Sequence, residues 1–169
     1  MRRIWLLRHA KSSWDDPGLP DRLRPLAPRG VRAVGVLARH LRSTGVAPEL
    51  VLCSPAVRAV QTWEGVAPGL PRDTEMVIDA AVYRAGAAGL LGHLQRVAAP
   101  VESVLVVGHN PGLQDLAVGL AGAGPRPLRE RLATKYPAGA LATFDVPGHW
   151  RDLGWGTGTL VAFVVPREL

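Results

Sequence analysis

The chain has 169 residues, of which 47% are hydrophobic and 20% charged, a composition that fits one folded domain spanning 1–169 and argues against extensive disorder. Its apolar runs are far shorter than the ~20 residues that a membrane helix needs. The run that follows Arg2 and Arg3 is also too short for a signal peptide. We therefore expect a cytoplasmic protein that does not enter a membrane.

The net charge is +6, and 18 of the 20 basic residues are arginines. Many of them are scattered, as the codon bias of a GC-rich genome would also produce. No basic run alternates with aromatic residues and no nucleic-acid-binding motif is present, so we expect no nucleic-acid partner. A local arginine cluster for a small anion fits better. The single cysteine, Cys53, excludes an intramolecular disulfide and is interpreted as a small buried hydrophobe.

Strands and helices alternate along the first 120 residues. Strands are predicted at 3–8, 50–53, 74–78 and 103–107, and helices at 28–44, after Pro55, at 86–98 and after Pro111. This alternation predicts an α/β three-layer sandwich, in which a mostly parallel central sheet is flanked by helices on both faces.

The last part of the chain has a different pattern. Segments 138–146 and 159–165 are predicted to be two strands that add an antiparallel edge to the sheet. Loops 15–23 and 122–130 are predicted to be the least ordered segments.

Polar and basic residues follow three of the predicted strands. Arg8 and His9 follow the first strand, Arg58 lies just beyond the second, and His109 and Asn110 follow the fourth. Because strand ends of one polarity open onto the same edge of a parallel sheet, we expect these side chains to be neighbours. A lone histidine at a strand end is more often structural, but two in equivalent positions favour a built site. The other histidines, His40, His93 and His149, lack such partners and are interpreted as structural or exposed.

Arg24 lies in the loop after the first strand and is predicted to fold back over the same edge. The resulting pocket would hold three arginines and two histidines, a concentration of like charge that favours an anion. Guanidinium groups match phosphate oxygens bidentately, and helix N-termini near Pro55 and Pro111 would add backbone donors. A phosphoryl group is therefore the expected ligand.

The same residues suggest covalent chemistry. A neutral His9 imidazole is a good nucleophile toward phosphorus and would form a phosphohistidine that water then hydrolyses. Arg8, Arg24, Arg58 and His109 would stabilise the charge on the equatorial oxygens. We expect neither a metal nor another cofactor, because the arginines supply the positive charge.

Three segments closely resemble motifs of the histidine phosphatase superfamily, which has the phosphoglycerate mutase-like fold. They are LRHA at 7–10, SPAVRAVQT at 54–62 and VGHNP at 107–111. The segments RLRPL at 22–26 and KYPAGA at 135–140 are similar to those of the short SixA-type phosphohistidine phosphatases. The resemblance implies that His9 is phosphorylated, that Arg58 binds phosphate and that His109 is the second histidine of the site. Ser12, Arg24 and Asn110 are assigned to phosphate or substrate binding.

The chain departs from larger members of that family in one respect. They carry an acidic residue after the third strand as general acid, whereas Asp79, the only acidic residue of that stretch, comes too early. Because an alkoxide leaving group needs a proton and an imidazole needs one far less, this absence favours a phosphoramidate substrate. Asp15, Asp16 and Asp21 of the mobile loop remain alternative proton donors.

The leading hypothesis is thus a metal-independent phosphatase that uses His9 as nucleophile and acts on phosphohistidine in a protein. The alternatives are a phosphomonoesterase for small phosphorylated molecules and a phosphate-binding module without turnover. The hypothesis of a mutase is weaker. A mutase must protect its phosphorylated histidine from water, and this chain is short for the elaborate lid that such protection requires. A metallohydrolase that uses both histidines is also less favoured, because no compact carboxylate–histidine cluster accompanies them in this sequence. The sequence leaves the oligomeric state open.

Overall fold

A computed structural model describes residues 1–169, which are organised around a seven-stranded sheet. The strands are β1 (Arg2–Arg8), β2 (Leu50–Cys53), β3 (Glu75–Ile78), β4 (Ser103–Gly108), β5 (Ala121–Ala123), β6 (Leu141–Val146) and β7 (Gly158–Val164). The helices are α1 (Pro28–Ser43), α2 (Val57–Val66), α3 (Ala80–Arg84), α4 (Ala87–Gln95), α5 (Gly112–Leu120) and α6 (Arg126–Thr134). Short 3₁₀ turns occur at Asp21–Leu23, Ala67–Gly69, Trp150–Asp152 and Pro166–Glu168.

The strand order places three parallel strands side by side. Across the sheet the order is β3-β2-β4-β1-β6-β7-β5, and β4 pairs in parallel with both β1 and β2. The carboxyl ends of these three strands therefore open at one edge of the sheet, where ligands bind in folds of this kind.

Helices cover both faces of the sheet. One face is packed by a cluster of 16 buried residues, to which α1 contributes Val34, Leu37 and Leu41 at helical spacing. On the other face a cluster of 24 buried residues includes apolar side chains of α4, α5 and α6. The predicted three-layer α/β sandwich is confirmed.

The tail prediction is wrong in two details. The strands β6 and β7 join the sheet in antiparallel orientation, as expected, through the pairing of β6 with β1, but the outer edge is formed by the short β5. The segment 122–130, predicted to be a poorly ordered loop, contains part of β5 and the start of α6.

The segment 122–130 contains glycines and prolines, which are typical of loops, but in this structure they are compatible with a strand and a helix. Pro127 lies in the first turn of α6, where proline is tolerated because its missing N–H would be unpaired anyway. Leu132 of the same helix is buried in the core. A Cβ atom on Gly122 would overlap the backbone of Gly156, so glycine is required for this close approach of β5.

The predicted helix at 86–98 is shorter than expected and is preceded by a separate helix. The side chain of Asp79 accepts a hydrogen bond from the Ala81 amide and so caps α3. The helix α4 then spans Ala87–Gln95. None of the helices combines the length and the hydropathy that crossing a membrane requires.

Candidate active site

His9 lies immediately after β1 and is held by the backbone on both sides. Its amide donates to the Gly108 carbonyl oxygen at 3.0 Å, and its carbonyl oxygen accepts from the Gly139 amide at 3.0 Å. The ring Nδ1 lies 2.7 Å from the carbonyl oxygen of Ala10. Because a carbonyl oxygen only accepts, Nδ1 carries the proton and Nε2 keeps its lone pair. The geometry therefore makes Nε2 the nucleophilic atom of His9.

His9 is uncharged at neutral pH. Burial lowers the pKa of its imidazole to about 3, against the opposing effect of the hydrogen bond to Ala10, and the neighbouring His109, Arg58 and Arg8 lower it further. The side chain is only 8% exposed, so the penalty for a charged ring is large. A neutral ring is the form that can attack phosphorus.

The second histidine of the predicted pair lies beside the first. The ring centroids of His9 and His109 are 5.1 Å apart. His109 Nε2 lies 2.7 Å from the hydroxyl oxygen of Ser54, which also accepts from the Ala56 amide at 3.2 Å. The Ser54 hydroxyl can donate to His109 Nε2, and in that tautomer the ring proton lies on Nδ1. Burial, and then Arg58, lowers the pKa of His109 to about 4.

Arg58 and Arg24 are both buried and share a carboxylate. Arg58 donates to the backbone carbonyl oxygen of Asp21 at 2.7 Å and to its carboxylate at 2.9 Å. Arg24 contacts the other carboxylate oxygen at 3.3 Å and donates to the Ser12 hydroxyl at 3.0 Å. The Tyr83 hydroxyl donates to Asp21 at 2.5 Å. This network holds both guanidinium groups in fixed positions.

Arg8, at the end of β1, is the third arginine of the site beside Arg24 and Arg58. It donates to the Tyr136 carbonyl oxygen at 2.9 Å, and burial together with Arg58 lowers its pKa. The Nε atoms of Arg8 and Arg58 and the Nδ1 atom of His109 are buried without a hydrogen-bond partner. The two guanidinium nitrogens are unpaired buried donors, which are costly, and both arginines line the same pocket as His9.

One pocket of about 650 Å³ gathers every residue that the sequence assigned to the site. Its lining includes Arg8, His9, Ser12, Arg24, Arg58, His109 and Asn110, and it contains no aspartate or glutamate. The structure thus brings the predicted residues together, while their catalytic and binding roles stay predictions.

The candidate proton donors lie outside this lining. Asp21 contacts Arg58 from a smaller pocket, and the hydrogen bond from Tyr83, with help from Arg58, lowers its pKa to about 2. Asp79 caps α3 and lies 3.4 Å from His93, so it is directed to another part of the surface. Asp15 and Asp16 do not line the pocket either.

Sequence reasoning missed several residues that position the site. It gave no separate role to Ser54, did not identify Asp21 as the partner of the arginines, and overlooked Thr62 and Tyr83. The Thr62 hydroxyl accepts from the Ala10 amide at 3.0 Å and so ties α2 to the segment after His9. The motif at 54–62 contains Ser54 and Thr62, and it was the available signal for both.

The structure also shows the surroundings of Cys53 and of three of the five tryptophans. Burial raises the pKa of the Cys53 thiol to about 12, which agrees with a small buried hydrophobe. Trp150 is buried, whereas Trp155 is half exposed. Trp14 lines the pocket beside Arg24. No group of three or more His, Cys, Asp or Glu side chains is arranged to hold a metal ion.

Comparisons with known proteins identify the class. The family model of the histidine phosphatase superfamily (branch 1) matches residues 4–82. An uncharacterized protein of Mycobacterium tuberculosis is 39% identical over 164 residues, which cover 95% of this chain and 100% of that protein. An uncharacterized chloroplastic protein of Arabidopsis thaliana is 33% identical over 131 residues, covering 72% of this chain and 60% of that protein.

Solved structures of SixA proteins have the same fold. One from Nakamurella multipartitia gives a TM-score of 0.85 at 28% identity and covers 98% of this chain and 96% of that chain. One from Agrobacterium tumefaciens gives 0.83 at 27% identity and covers 98% of each chain. A SixA protein histidine phosphatase complexed with tungstate gives 0.78 at 26% identity and covers 98% of each chain. The chain belongs to the histidine phosphatase superfamily. Within it the chain is of the SixA type, and this membership supports phosphatase activity.

Proposed function

We propose that the protein is a metal-independent phosphatase that hydrolyses phosphohistidine in a protein through a covalent intermediate on His9. The observation that carries this proposal is the state of the His9 ring. Its Nδ1 is bound to the Ala10 carbonyl oxygen, its pKa is lowered to about 3, and Arg8, Arg58 and His109 line the same pocket. These features support a neutral nucleophile inside a preorganised anion site.

The reaction has two steps. In the first, His9 Nε2 forms a bond to phosphorus while the phosphorus–nitrogen bond of the substrate breaks. The substrate ring, which carries a proton on its other nitrogen, departs as neutral imidazole with the electron pair. In the second, water attacks phosphorus, the bond to His9 Nε2 breaks and the electron pair returns to the ring. The water proton leaves with inorganic phosphate. Arg8, Arg58 and Arg24 bind the equatorial oxygens in both steps.

The choice of a phosphohistidine substrate rests on the missing proton donor. The pocket lining has no carboxyl group, and Asp21 is ionised because its pKa is about 2. A phosphohistidine ring with a proton on its other nitrogen leaves as neutral imidazole and needs no proton from the enzyme, whereas an alkoxide does need one, so a phosphoramidate suits this site better than a sugar phosphate. The name of the tungstate-bound relative, a protein histidine phosphatase, agrees with this choice.

The test is to trap the intermediate. The protein is mixed with a ³²P-labelled phosphohistidine peptide and quenched, and we expect acid-labile label on His9. His9→Ala should remain unlabelled and retain tungstate binding, while the exposed control His149→Ala should label normally. Turnover without label on His9 would disprove the covalent mechanism. Faster hydrolysis of a phosphoserine peptide than of the phosphohistidine peptide would disprove the substrate assignment.

A further inference from the structure

Four cations besides the arginines of the candidate site line the same pocket. Lys11, Arg29, Lys135 and Arg167 are all exposed, and none of them belongs to an ion pair of the protein. We call these four residues the rim cations. They come from four separate segments of the chain, so no single motif accounts for their meeting here.

The rim cations exceed the charge that one phosphoryl group requires. Seven arginines and lysines line the pocket, and no aspartate or glutamate does. Asp21 offsets one of these charges through Arg58, and a phosphoryl group offsets about two. About four positive charges, as many as the rim cations carry, are therefore not neutralised. This excess favours a ligand with further negative groups beside the phosphoryl group.

Nearby carboxylates do not neutralise this excess. Glu130 and Glu168 lie in an adjoining groove that Lys135 and Arg167 also line. Both are already engaged, Glu130 with Arg126 at 2.8 Å and Glu168 with Arg131 at 2.6 Å. The rim cations therefore remain available to a ligand.

The rim cations differ in kind from the arginines that contact Asp21. Arg24 and Arg58 are buried and fixed by hydrogen bonds, as the recognition of a small anion requires. The rim cations are exposed, and they include Lys11 and Lys135, the only two lysines of the chain. Lysine is a hydrated point charge on a flexible stem, so it suits attraction of an acidic protein surface more than bidentate recognition of a compact polyphosphate.

Trp14 adds an apolar contact at the same place. Its side chain lines the pocket and is 67% exposed, and the guanidinium carbon of Arg24 lies 3.5 Å from its ring centroid. A large aromatic ring that is held in place yet left exposed is typical of an anchor at a protein interface.

We propose that the rim cations and Trp14 form a docking surface for an acidic segment that flanks the phosphohistidine of a protein substrate. This inference rests on the proposed function and names the feature of the substrate that the surface recognises. It predicts preference for a phosphohistidine with aspartates and glutamates on either side, through affinity and association rate rather than through the chemical step.

The experiment compares two variants that each lose four positive charges. The rim variant carries Lys11→Gln, Arg29→Gln, Lys135→Gln and Arg167→Gln. The control carries Arg39→Gln, Arg72→Gln, Arg96→Gln and Arg151→Gln, at exposed positions outside this pocket. Each is assayed with an acidic phosphohistidine peptide, with the same peptide carrying neutral flanks, and with phosphoramidate, which has no flanks.

We expect the rim variant to raise KM for the acidic peptide about tenfold with little change in kcat, since exposed ion pairs each contribute modestly. The difference in KM for the acidic peptide between the wild-type chain and the rim variant should shrink in high salt, because salt screens exposed charges. The control variant, the neutral peptide and phosphoramidate should show no such change. An equal loss in the control variant, or an equal loss with the neutral peptide or phosphoramidate, would overturn the docking surface.

Binding is measured separately from turnover. The unphosphorylated acidic peptide should bind the wild-type chain more tightly than the rim variant, and Trp14→Phe should weaken this binding as well. If no phosphohistidine substrate is hydrolysed but this binding difference persists, the proposed reaction fails and the docking surface stands. If hydrolysis proceeds and the binding difference is absent, the docking surface fails alone.

Discussion

Arg58 donates two hydrogen bonds to one residue, Asp21: one to its backbone carbonyl oxygen at 2.7 Å and one to its carboxylate at 2.9 Å. The carboxylate thus occupies part of the hydrogen-bonding capacity of an arginine that faces His9. Arg58 lies between the main pocket, which it lines with His9, and the smaller pocket that contains Asp21. Asp21 therefore reduces the positive charge that an incoming phosphoryl group meets.

The first prediction concerns this carboxylate. Asp21→Asn keeps the backbone contact to Arg58 and removes one negative charge from the site, so we expect tungstate to bind about fivefold more tightly, which corresponds to roughly 1 kcal/mol. Titration calorimetry measures the change. Asp15→Asn, in the same loop but at a carboxylate that forms no ion pair with Arg24 or Arg58, should leave the affinity unchanged. Weaker binding to Asp21→Asn would show instead that Asp21 is required to orient Arg58.

The second prediction concerns the protonation of His9. Because burial lowers its pKa to about 3, we expect the ring to stay neutral throughout the range from pH 8 to pH 5. In an NMR titration of the free protein, the ring signals of His9, assigned with His9→Ala, should hardly move in this range. A histidine with the ordinary pKa of about 6.5 would be mostly charged at pH 5. A midpoint for His9 near 6.5 would contradict the lowered pKa and the neutral nucleophile.

The third prediction concerns the pH dependence of the free energy of unfolding, which follows from the lowered pKa values of His9 and His109. The pKa of His9 is lowered to about 3 and that of His109 to about 4, whereas both are near 6.5 in the unfolded chain. As pH falls from about 6.5 toward 4, the unfolded chain binds protons that the folded chain does not, so the folded state loses stability. Each histidine should contribute a slope of about 1.4 kcal/mol per pH unit in the free energy of unfolding.

Urea unfolding at several pH values between 4 and 7 measures this slope. His9→Gln and His109→Gln should each make the dependence of the unfolding free energy on pH shallower. The exposed His149→Gln serves as the matched control. Equal slopes in all three variants would show that neither buried imidazole is responsible.

The sequence was sufficient to predict the centre of the site but not its outer contacts. His9, Arg58 and His109 follow β1, β2 and β4, and the parallel pairing of these strands places their carboxyl ends together whatever the loops do. The contact between Asp21 and Arg58 depends on the path of a loop after β1, which no local pattern determines. The same is true of the four rim cations, which meet only because distant segments fold over one edge.

Regular structure was predicted well where periodicity and packing agree. The predicted apolar stripe of α1 is an example: Val34, Leu37, Ala38 and Leu41 are buried, and only Val31, in the first turn, is exposed. The helix α6 was missed because its polar sequence and its prolines resemble a loop. Leu132 is nevertheless buried in the core, and Leu128 packs against it. The stability of this helix comes from tertiary contacts that the local sequence does not reveal.

The last prediction separates two glycines of α1. A Cβ atom on Gly30 would overlap the carbonyl oxygen of Lys11, two residues after His9, whereas a Cβ atom on Gly35 meets nothing within 4 Å. Gly30→Ala should therefore displace the segment that follows His9, lower the free energy of unfolding by about 1–3 kcal/mol and slow the labelling of His9. Gly35→Ala should raise the free energy of unfolding by up to about 1 kcal/mol, because alanine favours the helix, and leave labelling unchanged.

Urea unfolding and the rate of ³²P transfer to His9 measure both effects in the same preparations. The pair is a stringent comparison, because the two variants add the same methyl group to the same helix. If Gly30→Ala were as stable and as rapidly labelled as Gly35→Ala, the close packing of α1 against the Lys11 backbone would not position His9. If it were destabilised but labelled at the normal rate, this packing would support the fold without setting the geometry of the nucleophile.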